Sequence, residues 1–118
     1  MRQGRKSPQD SDYFNHEVAI NELLGATISD STDVTSVSDL DTVQTLLASN
    51  TDRKGFSIHN DSTAILYVKL GSGASTSSFS FRITPQGYYE SGVLAYRGLI
   101  SGIWASDASG AARITEYT

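Results

Sequence analysis

The chain has 118 residues, of which 13 are acidic and 9 are basic, so its formal net charge is −4. This length fits a single domain, and no run approaches the roughly 18 apolar residues that a membrane-spanning helix needs. Three basic residues near the N-terminus are not followed by an apolar run, so we expect no secretory signal. Because cysteine is absent, the composition excludes disulfide scaffolds, cysteine zinc sites and thiol nucleophiles.

The charges are segregated along the chain. Residues 1–6 hold three bases and no acid, residues 7–52 hold nine acids and no Lys or Arg, and residues 53–118 hold six bases and four acids. Long blocks of one sign are typical of solvated or interacting segments. We therefore predict an extended N-terminal arm over residues 1–32, with a basic tip and an acidic segment, and a folded body over residues 33–118. The arm is either a solvated tail or an element that docks on a neighbouring subunit of opposite charge.

Two parts of the N-terminal region have local patterns. Residues 15–24 fit a short helix that ends at Gly25, and they fit an extended strand between His16 and Ile20 nearly as well, so both alternatives stay open. The stretch 26–39 is rich in Ser, Thr and Asp, which predicts a connector that leads into the first strand.

Beyond residue 40 the apolar residues recur with a period of two, which predicts strands. The predicted strands cover residues 42–47, 56–59, 65–70, 79–84, 88–90, 99–104 and 112–117. We expect a tight turn at Asn60-Asp61, a flexible loop over 71–78, and a reverse turn at Pro85-Gln86-Gly87 in which the glycine supplies the positive φ. The alternation of Phe79, Phe81 and Ile83 with polar residues predicts a half-buried strand.

The spacing of these elements predicts the fold class. About seven short strands with turn signals roughly every ten residues, and no convincing helix, are typical of an antiparallel sandwich or barrel. The sequence therefore predicts an all-β protein, a small antiparallel β-sandwich or barrel of about seven strands with an extended N-terminal arm. A body of about 85 residues is only marginally stable alone, so we also expect a homo-oligomer.

Chemistry-bearing residues are sparse, and we predict no catalytic, metal-binding or cofactor-binding site and no enzymatic activity. His59 precedes Asn60 and Asp61, but one histidine without a spaced second ligand indicates an exposed turn residue. The carboxylate pairs at 10/12 and 39/41 lack the glycine and glutamate of an EF-hand loop, and the GSG at 71–73 lacks the lysine of a phosphate loop. The bases of the body are dispersed, so we expect no nucleic-acid partner, and no membrane partner either.

Five aromatic residues could act together on a β-surface. Such residues fill cores or subunit interfaces in most cases, and they can also stack on sugars. The set that we predict for self-association or for a ligand platform is Tyr67, Tyr88, Tyr89, Tyr96 and Trp104.

Several short segments carry a resemblance to a known family. They are Arg53-Lys54-Gly55, Asn60-Asp61-Ser62, Leu66-Tyr67-Val68-Lys69 with Gly71, Gly87-Tyr88-Tyr89-Glu90, Gly102-Ile103-Trp104 and Ala112-Arg113-Ile114-Thr115-Glu116. Residues 50–118 thereby resemble a family of small proteins and domains encoded in the structural modules of tailed bacteriophages. The N-terminal arm is not covered by the resemblance.

The resemblance implies a non-enzymatic virion protein, assembled in the host cytoplasm. It implies a position on the head, as a decoration or cement protein that binds the major capsid protein, and we favour a trimer. Alternatives are a head–tail connector, tail adaptor or fibre-base protein and, in another class, a glycan-binding module displayed on the particle. The arm would reach over neighbouring subunits through basic and apolar contacts, for which we nominate Arg2, Arg5, Lys6, Tyr13, Phe14, Val18, Ile20, Leu23 and Leu24.

Overall fold

The computed structural model describes residues 29, 31–38, 40–92, 95–107 and 109–118. Within these ranges the chain is all-β, and no helix capable of crossing a bilayer occurs in them. The strands are β1 (Thr32–Ser38), β2 (Gln44–Leu47), β3 (Gly55–Ser62), β4 (Leu66–Leu70), β5 (Phe81–Ile83), β6 (Tyr88–Glu90), β7 (Ile100–Trp104) and β8 (Gly110–Tyr117).

The strands form two four-stranded antiparallel sheets. Sheet A has the order β1-β8-β3-β6, and sheet B has the order β2-β7-β4-β5. The pairings are nested, because β1 pairs with β8, β2 with β7, β3 with β6, and β4 with β5. A long hairpin that is rolled up gives this order, which is the eight-stranded jelly roll. The predicted all-β antiparallel fold is confirmed, and of the two predicted alternatives, sandwich and barrel, the chain forms the two-sheet sandwich, with eight strands.

The core lies between the two sheets. Alternate residues of the central strands point inward, so that in β4 Leu66 and Val68 are fully buried while Tyr67 and Lys69 are only half-buried. Side chains from both sheets join one apolar cluster, which consists of Leu46, Leu47, Phe56, Ile58, Ala64, Leu66, Val68, Ile83, Ile100, Trp104, Ala112 and Ile114. Burying these side chains supplies the main driving force for folding.

Two sequence predictions for the strands were wrong. The sequence predicts a connector at residues 32–38, but these residues form the edge strand β1. The stretch is polar and has no alternation of apolar residues, and it becomes a strand because its backbone pairs with that of β8. Strand β3 continues through Asn60 and Asp61, where a turn was predicted, and the chain reverses at residues 63–65. His59 is accordingly a half-buried strand residue and not an exposed turn residue.

Asn60 joins the two sheets through a buried amide. Its Nδ2 donates to the carbonyl oxygens of Ala64 and Ile83 at 2.8 and 2.9 Å, and its Oδ1 accepts from Trp104 Nε1 at 3.1 Å. The Ser62 hydroxyl donates to the same oxygen at 2.7 Å. Ile83 and Trp104 belong to sheet B and Asn60 to sheet A, so these hydrogen bonds fix how the sheets are aligned.

The turn between β5 and β6 has its positive φ at a different residue from the one predicted. The amide of Gly87 donates to the Thr84 carbonyl at 2.8 Å, and Gln86 has the positive φ, 64°. Gly87 is needed for space, because a Cβ there would lie 2.8 Å from the Thr84 carbonyl oxygen.

Arg53 is a fully buried cation two residues before β3. Its Nε donates to Glu116 Oε2 at 2.7 Å, and its Nη1 donates to the carbonyl oxygens of Tyr96 and Gly98 at 2.8 and 3.0 Å. Nη2 donates to the Ala48 carbonyl. A buried charge is tolerated only when it is paired and hydrogen-bonded, and this guanidinium thereby ties the loops after β2 and before β7 to β8.

Replacing Asn60 by alanine should lower the free energy of unfolding by about 3 kcal/mol, because several buried donors and acceptors lose their partner at once. His59→Gln, on the opposite face of the same strand, should change it by less than about 0.5 kcal/mol. Urea denaturation of both variants measures this difference. A loss below about 1 kcal/mol for Asn60→Ala would show that the amide does not hold the sheets together.

Candidate interaction surface

The outer faces of the two sheets differ in chemistry. On sheet A, cross-strand registers place Ser36, Arg113, His59 and Tyr88 in one row. On sheet B, the register places Tyr67 beside Ile103 and beside Arg82. The first row is polar with one aromatic side chain, whereas the second combines apolar side chains with a cation.

The apolar surface of sheet B has a defined extent. Tyr67 and Ile103 are half-buried at its centre, and Val43 and Phe79 are 51% and 40% exposed. The Phe79 ring packs edge-on against the Tyr67 ring, with centroids 4.9 Å apart. We call the surface formed by Val43, Tyr67, Phe79, Ile103 and the two cations Lys69 and Arg82 face B. Exposed apolar side chains that gather in one place are characteristic of interaction sites.

Phe79 was predicted to share a face with Phe81 and Ile83. The structure separates them, since Phe81 packs against the core and stacks on Tyr89 at 4.0 Å, whereas the Phe79 ring contacts the outward Tyr67. β5 begins only at Phe81, so the strict alternation does not extend back to Phe79. The consequence is an additional exposed aromatic ring on face B.

The charges on face B have one sign. Lys69 Nζ donates to the Ser78 hydroxyl at 2.9 Å, and Arg82 is exposed. Among the residues that the structure describes, neither cation has a carboxylate partner, and no acidic residue occupies an outward strand position of sheet B. Face B is therefore apolar and positively charged.

The loop over 71–78 lies against the outer surface of sheet B at Ser101. The Ser101 hydroxyl donates to the Gly71 carbonyl at 2.6 Å and accepts from the Ala74 amide at 3.1 Å. Ser101 and Ala74 are both buried. The loop over 71–78 is thereby held against the sheet, and it forms one border of face B.

The outer face of sheet A carries a hydrogen-bonded ion pair. Arg113 Nε donates to Asp61 Oδ2 at 3.1 Å, Arg113 Nη1 donates to the Ser36 hydroxyl at 3.0 Å, and Gln86 Nε2 donates to Asp61 Oδ1 at 3.4 Å. Hydrogen bonding from Arg113, and then from Gln86, lowers the pKa of the Asp61 carboxyl below its ordinary value of 3.8.

The five aromatic residues nominated from the sequence do not form one platform. Tyr67 lies on face B and Tyr88, 57% exposed, lies on the outer face of sheet A. Tyr89 packs between the sheets, Tyr96 is an exposed loop residue, and Trp104 is buried in the core. Trp104 therefore cannot contact a partner at the surface.

A groove of about 350 Å³ opens where the edge strands β5 and β6 meet. Its lining consists of Phe81, Arg82, Ile83, Thr84, Gly87, Tyr88 and Tyr89.

Within the described ranges, no three His, Asp or Glu side chains are grouped so that they could hold a metal ion.

The arm contacts predicted from the sequence cannot be placed. They are Arg2, Arg5, Lys6, Tyr13, Phe14, Val18, Ile20, Leu23 and Leu24, and they lie outside the described residues, as does the helix or strand alternative at 15–24. The described chain begins beside the C-terminus, where the Ser29 hydroxyl donates to the Thr118 carbonyl at 2.9 Å.

Comparison with known proteins gives no match. No family model matches the chain, no curated protein matches it significantly, and no solved structure does so.

Sequence reasoning missed most of face B. Only Tyr67 was nominated, and Val43, Phe79 and Ile103 were read as ordinary strand residues. The period-two pattern did contain a signal, because Lys69 shares a strand face with Tyr67, and no acidic residue lies in either of the predicted strands 65–70 and 79–84.

Asp61→Asn should lower stability at neutral pH, and the difference from wild type should disappear in acid. A carboxyl whose folded pKa is lowered stabilises the folded state above its unfolded pKa, near 3.8, and this stabilisation is lost as the pH falls through the folded value. Urea midpoints at neutral pH and at about pH 2 measure the effect. The control is Asp52→Asn, at an exposed aspartate that has no ion pair among the described residues. An equal loss of stability in both variants would contradict the stabilising role of the Asp61–Arg113 pair.

Proposed function

We propose that the protein is a structural virion protein of a tailed bacteriophage, a capsid decoration protein that binds the major capsid protein and stabilises the head. The observation that carries the proposal is face B, an exposed apolar and cationic surface on a small two-sheet body. When a protein neighbour covers a surface of this kind, the free energy falls, because burial removes apolar area from water.

The resemblance to phage structural modules includes part of face B. Two of the segments that carry it, 66–69 and 102–104, form the neighbouring strands β4 and β7, whose register brings Tyr67 opposite Ile103. The jelly roll is also an architecture of viral capsid proteins. This likeness is one of fold, and fold alone does not determine function.

The predicted arm gives this body a second means of attachment. Its three basic and six apolar nominated residues could contact capsid subunits beside the one under the body. Ordering an arm costs about 1–2 kcal/mol of free energy per residue. Exposed ion pairs stabilise the bound state by only about 0–1 kcal/mol each. We therefore assign most of its affinity to the apolar residues.

Copy number on purified particles tests the proposal. A decoration protein should be present at on the order of hundreds of copies per particle, and a connector or adaptor at about six to twelve. Phe79→Ser should reduce binding to heads that lack the protein by about tenfold or more, because it removes an exposed apolar anchor. Tyr88→Ser, on the outer face of sheet A, is the matched control. Absence of the protein from particles would overturn the proposal.

A second function, glycan binding, is favoured by the groove beside Tyr88. An exposed tyrosine next to Arg82 and Thr84 offers a stacking surface and hydrogen-bonding groups, as saccharide sites require.

Binding of full-length protein to immobilised bacterial surface polysaccharides tests this second function. Tyr88→Ala should abolish retention while incorporation into particles is unchanged, and Tyr96→Ala, at an exposed loop tyrosine, should leave both unchanged. Equal retention of the wild type, Tyr88→Ala and Tyr96→Ala would exclude the groove as the binding site.

A further inference from the structure

We propose that strand β1 pairs with β1 of a second copy of this chain, so that two sandwiches join flank to flank and sheet A of one copy continues into sheet A of the other. Face B and the groove beside Tyr88 take no part in this pairing, which therefore goes beyond the proposed function.

One side of β1 has no strand beside it. β1 is the terminal strand of sheet A, and its regular register with β8 covers Thr32–Ser38. The Thr118 amide donates to the Ser31 carbonyl at 2.8 Å, which places the backbone groups of the odd-numbered residues of β1 toward β8. The amides and carbonyls of its even-numbered residues therefore point away from the sheet, and no described strand pairs with them.

β1 also lacks the features that block an open edge in natural sheets, which are prolines, lysines, β-bulges and very short strands. It has seven residues, contains no Pro or Lys and has no register shift. The other terminal strands differ, since β5 and β6 have three residues each, and β2 has four residues and a register shift between Thr45 and Leu47. Among the described strands, β1 is thus the edge best suited to accept another strand.

The sequence of β1 fits its own copy in antiparallel orientation. With Thr35 of both copies at the twofold axis, all seven residues overlap and the open even-numbered residues face one another. Val34 then lies opposite Ser36 of the other copy and diagonal to the other Val34. Asp33 is the only charged residue of β1, and its two copies are four residues apart along the strands, about 14 Å, so no like charges meet.

The flank has two layers, and this favours a second copy over a single extended peptide. β1 of sheet A lies beside β2 of sheet B. Val34 in β1 is 66% exposed, and Leu40 in the connection to β2 is 41% exposed. An added peptide strand would extend sheet A alone, whereas a second copy also brings its own β2 and Leu40, so that apolar area is buried in both layers.

Sedimentation velocity of the full-length chain, at concentrations up to about 1 mM, tests the pairing. The wild type should form a dimer. Val34→Pro should weaken association roughly tenfold or more while the body stays folded, because proline removes an amide that faces the open edge and edge strands tolerate it. Val34→Lys should act in the same way, because a lysine on an edge strand opposes pairing.

The matched control is Thr63→Lys, which adds the same charge at an exposed residue between β3 and β4 and should dimerise like the wild type. Circular dichroism melts verify that each variant is folded. A wild type that stays monomeric or forms trimers, or an equal loss of association in the two lysine variants, would overturn the inference.

Hydrogen exchange identifies the strand that pairs. The amides of Val34 and Ser36 should gain protection as the protein concentration rises through the dimerisation range, whereas those of Thr35 and Val37, which face β8, should be protected throughout. Protection of Val34 and Ser36 that does not depend on concentration would assign the open edge to another segment of the same chain and refute the pairing of two copies.

Discussion

Asn60 is a fully buried amide on a strand whose preceding inward side chains, Phe56 and Ile58, are apolar. Its oxygen accepts from the indole of Trp104 and its nitrogen donates to the carbonyl of Ile83, so one side chain on sheet A binds two strands of sheet B. Apolar contacts alone are non-directional and would tolerate sliding of one sheet over the other. A buried amide tolerates no sliding, because each lost partner leaves a desolvated polar group.

The backbone of the same residue fixes the edge of the sandwich. Asn60 donates through its amide to the Gly87 carbonyl and accepts through its carbonyl from the Gln86 amide. The turn between β5 and β6 is thereby bound to β3, and that turn positions Tyr88 on one side and Tyr89 between the sheets. The groove beside Tyr88 and the stacked Phe81–Tyr89 pair both depend on this arrangement.

Alignment of the sheets gives the body its two different outer faces. Strand β4 buries Leu66 and Val68, which forces Tyr67 and Lys69 outward next to Ile103 on β7. Strand β3 buries Ile58 and Asn60, which forces His59 and Asp61 outward next to Arg113 on β8. On the outer face of sheet B, a protein partner can bury further apolar area. On the outer face of sheet A, Arg113 and Asp61 already pair with each other.

The period-two pattern after residue 40 was enough to predict an all-β antiparallel fold, a sandwich or a barrel, and seven of the eight strands. It could not predict β1, because the polar stretch at 32–38 becomes a strand only through its pairing with β8. It also assigned Asn60 and Asp61 to a turn, since local propensity favours one, whereas burial of the Asn60 amide holds them in β3. Which strands are neighbours, and hence that Tyr67, Phe79 and Ile103 meet, was decided by the tertiary structure alone. The physical reason is that alternation tells which residues share a face, while strand pairing joins residues far apart in the chain.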